Sequence, residues 1–273
     1  MNALNNYIIL YDAECPLCSV YTKAMVNAGL LDNKGREAYQ QVQPEVCPMV
    51  DRQRAVNEIA LVNQTTGEVV YGIESLFKIF GTAIPLLKPL FTFGPFAWLM
   101  GKVYAFFSYN RRVIIPVAAT STYQLQPTFK LHYRIAYLVF TWLVTAFVLT
   151  QYVHLMYGLL PIGTAYREYL VCGGQILFQG LIISFFAKDQ LWNYLGNMMT
   201  ISFAGALLLL PGLALAHFAG LQPLFYVLYF LTVAGLMFLE HIRRTRLLNL
   251  GWLLTLSWAS YRVLVLLLIF LAH

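Results

Sequence analysis

Apolar residues along this chain follow two regimes. Up to about Phe80 they come in short runs broken by polar residues, and beyond Tyr133 they come in runs of about twenty. In the first regime "YIILY", Tyr7 to Tyr11, reads as a short strand. "SVYTKAMVNAGLL" then spaces its apolar residues as a helix does, up to Asp32, Asn33 and Gly35. Further on, "EIALVN" and "EVVYG" flank "QTTG", a hairpin pattern with a glycine in its connection, and "IESLFKIFGTAI" reads as a helix. Between these stretches "REAYQQV" suits a second strand and "PEVCPMVDRQRAV" a helix. The order is strand, helix, strand, helix, hairpin, helix, which fits a small α/β or α+β domain.

Five long runs make up the second regime: Tyr133 to Tyr157, Glu168 to Ala187, Asn193 to His217, Gln222 to Glu240 and Leu250 to Ala272. Each has about the length a helix needs to cross about 30 Å of hydrocarbon. Tyr133, Tyr157, Trp192, Tyr194 and Trp252 sit near run ends, where amphipathic rings favour the headgroup level. The stretch "IPLLKPLFTFGPFAWLMGKVYAFF" between the regimes is interrupted by Pro89, Gly94 and Pro95 and is too broken for a spanning helix. It has two readings, as an interfacial segment or as a late helix that closes the core of the first domain.

Charge separates the same regions. Met1 to Phe80 carries nine acidic and six basic side chains, Gly81 to Arg134 six basic and none acidic, and the remainder six basic and three acidic. An acidic head is followed by a basic collar suited to anionic lipid headgroups. With the head inside, Arg111, Arg112, Lys130, Arg134, Lys188, Arg243, Arg244 and Arg246 fall on the cytoplasmic side, and the outer loops hold only Arg167. "MNALNNYIIL" lacks the charged start and apolar core of a secretory signal. An integral protein of a bacterial inner membrane, with its head in the cytoplasm, is therefore expected. No nucleic-acid partner is expected.

"YDAECPLC" carries the chemistry, because a C-x-x-C after a first strand is a thioredoxin-like arrangement. At a helix start, unpaired amide hydrogens and the helix dipole lower the pKa of a cysteine. Cys15 takes that place, Pro16 suits the first helical position, and Cys18 lies one turn on the same side. Cys15 is thus the expected nucleophile and Cys18 the resolving thiol. Asp12 has two readings, as the base that accepts the proton of Cys18 or as a cap of the turn. Glu14 reads as a solvated surface charge.

Zinc is disfavoured. A structural site wants four Cys or His ligands, whereas the head has no histidine and only Cys47 to join the pair. Cys47 reads as a buried thiol, and a structural disulfide does not suit a reducing cytosol. The dithiol site requires no cofactor. In the membrane half Cys172 is the sole cysteine and reads as a packed thiol, too deep for exchange with Cys15. Arg262 lies near mid-span, where a charge is costly; it reads either as a snorkelling side chain or shifted helix register, or as a group inside the bundle, where Gln175 and Gln179 on the second run fall at matching depth. Together they predict a polar pocket inside the bundle that could hold a quinone carbonyl, a lipid headgroup or water.

"YDAECPLC" also resembles the signature D-x-x-C-x-x-C of the DCC family of thiol-disulfide oxidoreductases, here Asp12, Cys15 and Cys18. The similarity extends through "EIALVNQTTGEVVYGIESL" to "VYAFFSYNRR", about Tyr7 to Arg112, and does not reach the five runs. It implies a thioredoxin-like fold and disulfide exchange with a protein or small thiol. No proline precedes "EIALV", where thioredoxins place a cis-proline beside the active site, so their mode of substrate docking does not carry over.

The expected architecture is an α/β thioredoxin-like domain over residues 1–112, a basic juxtamembrane linker over 113–132, and an all-α transmembrane bundle of about five helices over 133–273. The expected activity is membrane-tethered thiol-disulfide exchange. Two other readings stay open: a non-enzymatic regulatory or docking protein with a redox-sensing head, and electron transfer between the dithiol and a quinone.

Overall fold

A computed structural model of the chain describes residues 4–42, 49–116 and 127–271. The chain divides into two compact units, Met1–Tyr133 and Arg134–His273.

The first unit is built on a four-stranded mixed sheet in the order β2-β1-β3-β4, formed by β1 (Tyr7–Tyr11), β2 (Arg36–Ala38), β3 (Ala60–Asn63) and β4 (Val69–Tyr71). β1 pairs in parallel with β2 and antiparallel with β3, and β3 continues antiparallel to β4. Successive side chains of a strand point to opposite faces, so β1 can be apolar throughout only if both faces are covered. Both are. Ile9 and Leu61 pack with Met25 of α1 (Pro16–Asn27) and Ile79 of α3 (Ile73–Ala83). On the other face Ile8, Leu10 and Val62 pack with Tyr39 and with Ala55 and Val56 of α2 (Arg52–Asn57).

α1 ends earlier than its apolar spacing predicts. Gly29 adopts φ +68° and the Leu30 amide returns to the Met25 carbonyl, a glycine stop that closes the helix before "LL". Of the expected middle helix, Arg52–Asn57 form α2, and residues 44–48, Cys47 among them, lie outside the described residues.

α4 (Lys88–Thr92) and α5 (Gly94–Ile114) come after a short 3-10 turn, and the two arms, Pro85–Thr92 and Gly94–Ile114, meet at 90°. Pro95 is tolerated in the first turn of α5, where an amide hydrogen has no helical partner. Of the two sequence readings, the packing matches the helix that closes the core of the head. Phe91 and Phe96 stack on Phe77 of α3 and so close the head, while Leu86, Phe93, Trp98 and Leu99 remain exposed. Residues 127–133 also belong to this unit: the Asn57 amide group and Gln53 bond the Thr128 hydroxyl, and Tyr133 stacks on Tyr109.

The second unit consists of α6 (Leu131–Val153, whose first three residues belong to the first unit), α7 (Arg167–Phe186), α8 (Leu191–Phe218), α9 (Pro223–Leu247) and α10 (Leu253–Leu271). With their short 3-10 extensions these are five helices long and apolar enough to cross a membrane, matching the five expected runs within a few residues except at α9, which continues to Leu247. α8 is the most enclosed of them, with Tyr194 to Ser202 buried without interruption. One apolar cluster joins Tyr194, Leu195 and Met198 of α8 to Leu254 and Trp258 of α10, and another joins Val148 and Tyr152 of α6 to Leu209 of α8 and Val233 of α9.

Candidate active site

Cys15 stands at the N-cap of α1 in extended conformation, and its sulfur accepts the Cys18 amide hydrogen at 3.3 Å. The turn ahead of it closes through Cys15 N–H to the Asp12 carbonyl at 3.0 Å, and Pro16 opens the helix. Both thiols are free. A thiolate on Cys15 thus has a ready donor in the first-turn amide. The hydrogen bond from the Cys18 thiol is the main influence on Cys15. Burial opposes it, the charge of Arg111 assists, and the net effect lowers the pKa from 9.0 to about 7. Cys18 moves the other way, raised by sharing its hydrogen with Cys15 and by burial. One thiol is primed and the other holds its proton.

Asp12 is buried and its carboxylate is fully engaged. It accepts from the Glu14 amide at 3.1 Å, Gln40 Nε2 at 2.8 Å, Arg111 at 3.0 Å and Arg112 at 3.4 Å. An ionised carboxylate offers about four acceptor positions, so these contacts fill it. The structure therefore uses Asp12 as a turn cap and as the partner of Arg111. Glu14 is not the solvated charge its sequence context predicts: its side chain is 11% exposed and pairs with Arg112 at 3.2 Å.

Arg111, 99 residues from Asp12, is the residue that sequence reasoning missed. In the sequence it is visible only as part of the basic "NRR" run. From the end of α5 it also donates to the Asn57 carbonyl at 3.1 Å and to the Val56 carbonyl. Burial works against its charge, but the Cys15 thiolate and the Asp12 carboxylate outweigh that cost and hold the guanidinium protonated. The carbonyls it ties are those of the last two residues of α2, just ahead of β3. α5 secures this α2–β3 connection twice more, because the Ile59 amide donates to the Tyr104 hydroxyl at 3.1 Å and Ser108 donates to the Asn57 carbonyl. Tyr21, on α1, reaches Cys18 with its hydroxyl and is held well above its ordinary pKa by burial, so it stays a neutral hydrogen-bonding group near pH 7.

In the membrane half, Gln175 and Gln179 are buried on one stripe of α7 together with Cys172 and Ile183. Arg262 of α10 donates from Nε to Gln175 Oε1 at 2.7 Å, while its guanidinium lies over the Trp258 ring, 5.3 Å from the centroid. Gln179, one turn along, belongs to a different set of contacts. It accepts from the Tyr194 hydroxyl at 2.8 Å and donates to Ser257 at 3.1 Å. Tyr194 meets His241 Nε2 at 3.2 Å, and His241 Nδ1 meets Thr255 at 3.0 Å. Of the expected pair, Gln175 hydrogen-bonds Arg262 and Gln179 bonds Tyr194 and Ser257 instead. His241 and Tyr194 escape recognition as polar interior residues because each lies near the end of a sequence run.

Family models, curated proteins and solved structures offer no match to this chain. The resemblance to the DCC family thus rests on Asp12, Cys15, Cys18 and the stretches of sequence that surround them.

Proposed function

We propose that the first unit is a thiol-disulfide oxidoreductase of the DCC type, tethered to a membrane by the second. The observation that carries this reading is Cys15 at a helix N-cap, held between the Cys18 amide and thiol and the Arg111 charge. The strand order, with a parallel β1/β2 pair beside an antiparallel hairpin, supports the thioredoxin-like part of it.

In the exchange step the Cys15 thiolate attacks one sulfur of a partner disulfide, and the other partner sulfur leaves as a thiolate and takes up a proton. Cys18 then gives up its proton and attacks Cys15 Sγ. A Cys15–Cys18 disulfide forms, and the second partner thiol is released. Two electrons pass from the dithiol to the partner, and the reverse sequence oxidises the partner instead. Asp12 acts as a positioning residue that fixes Arg111, and the departing partner thiolate is the acceptor for the Cys18 proton. Cys15 is 1% exposed, so a protein partner must displace the side chains that cover it before attack.

Cys18→Ser is expected to accumulate mixed disulfides with the partner in cells, trapped by gel shift under non-reducing conditions, and Cys15→Ser to accumulate none. Trapping by both variants or by neither would remove the assignment. The bias of Lys and Arg between loops supports a cytoplasmic head in an inner membrane, and the exposed Leu86, Phe93, Trp98 and Leu99, flanking Lys88 and close to Lys102, suit an anionic lipid surface.

A further inference from the structure

A guanidinium near the middle of a spanning helix needs acceptors, and the bundle gives Arg262 very few. Glu168 is engaged with Arg167, and Glu240 with Arg243 and Arg244; no carboxylate pairs with Arg262 among the described residues. Among the described residues its one hydrogen bond goes to the neutral Gln175 side chain. Because a guanidinium can only donate, that bond fixes the Gln175 amide with its oxygen toward Arg262. Gln175 is 1% exposed, and its Nε2 has no partner among the described residues. Trp258, whose ring lies beneath the guanidinium, has its Nε1 buried and equally without a partner. The two side chains that Arg262 contacts thus each carry a buried donor without a partner among the described residues, and the one acceptor there, Gln175 Oε1, is already used by Arg262. Leaving buried donors unsatisfied costs about 1–3 kcal/mol each, and lipid tails offer nothing to relieve it. The cluster is complete only with an acceptor brought from outside the chain.

Depth and shape select the acceptor. Arg262 lies near the middle of α10 and Gln175 near the middle of α7. Phosphates and ester carbonyls of phospholipids stay near the interface, whereas a quinone ring enters the hydrocarbon and carries carbonyl oxygens as its strong acceptors. Flat faces are already stacked there: His241 lies on Trp258 with ring centroids 5.1 Å apart. Arg262 is only half-buried and Val263 beside it is exposed, so the cluster opens sideways toward lipid.

We propose that Arg262, Gln175 and Trp258 form a lateral site that binds the carbonyl oxygen of a lipid-soluble quinone. The site stands on the geometry of the second unit alone and does not depend on thiol exchange in the head.

The test uses the full chain in lipid nanodiscs with decylubiquinone as the probe and tryptophan fluorescence as the readout. Decylubiquinone is expected to quench saturably, and neither decylbenzene, which lacks carbonyls, nor oleate to displace it. Arg262→Met is expected to raise the dissociation constant at least about tenfold, the scale of a lost hydrogen bond involving a charged group, and Gln175→Leu by about two- to tenfold, the scale of a neutral one. If Arg262→Met fails to fold, Arg262→Lys takes its place, with weakening still expected because an ammonium lacks the planar fork. Absence of saturable quenching, or an unchanged constant in the folded variants, overturns the proposal. Displacement by equimolar oleate overturns it too, by giving the site to a fatty-acid carboxylate.

Discussion

The two units treat polar and apolar residues in opposite ways. In the head Ile9, Leu61 and Ile79 are fully enclosed on one face of the sheet, as expected of a domain whose solvent is water. On α7 the arrangement is reversed: Gln175 and Gln179 are buried, while Leu170, Leu177, Leu181 and Phe185 are between 59% and 80% exposed. Hydrocarbon does not drive apolar side chains together, so packing and hydrogen bonds between helices have to organise the bundle. The two arginines reflect the same contrast. Arg111 is taken out of water and is compensated by a carboxylate and two carbonyls. Arg262 has one amide oxygen and a ring face. The head pairs its buried arginine with an internal carboxylate, and the bundle gives its own no carboxylate among the described residues.

The sharpest way to break this comparison is Arg111→Met. Removing Arg111 takes the closer of two cations from the buried Asp12, which keeps Arg112 at 3.4 Å, and a loss of about 3 kcal/mol, the lower end of the range for a broken buried pair, is expected in chemical unfolding of the head. Adding Asp12→Asn to that variant should recover part of the loss, and a double variant that is additive would show the pair to be uncoupled.

The same site sets a pH dependence. Alkylation of Cys15 by a small reagent is expected to rise through about pH 7 in the parent chain, and in Arg111→Met the midpoint should move up toward 9.0. Between pH 7 and 9 the folded chain has released a proton that the unfolded chain holds, so this group adds stability as pH rises through that window. The raised pKa of Cys18 acts in the opposite sense only above pH 9. An alkylation profile that does not move in the variant would take Arg111 out of the site.

A smaller effect is expected where the solvent is lipid. Tyr194→Phe removes the hydroxyl that links Gln179 to His241, yet interhelical hydrogen bonds in membranes contribute only about 0.6 kcal/mol, with a maximum near about 1.7. Unfolding of the bundle in mixed micelles should show a loss in that range. A loss as large as that of Arg111→Met would mean that the bundle interior behaves like the head.

Most elements were legible because their signals are local. Strand length, the C-x-x-C at a helix start, the hairpin at "QTTG" and the five apolar runs each lie within one stretch of chain. Two errors were local as well: α1 stops at Gly29 rather than beyond it, and Glu14 is paired rather than solvated.

The long-range pairings divide along the line between the units. Arg262 and Gln175 are 87 residues apart, and the sequence still suggested their meeting. A bilayer gives every spanning helix the same axis, so a rise of about 1.5 Å per residue converts position in a run into depth, and costly groups at one depth become natural partners. Which of two glutamines faces Arg262 depends on helix rotation, which depth does not encode. The head has no such shared axis. Nothing local marks Arg111 as the neighbour of Asp12, and only the packing of α5 against the end of α2 carries its guanidinium past the Val56 and Asn57 carbonyls to the start of α1.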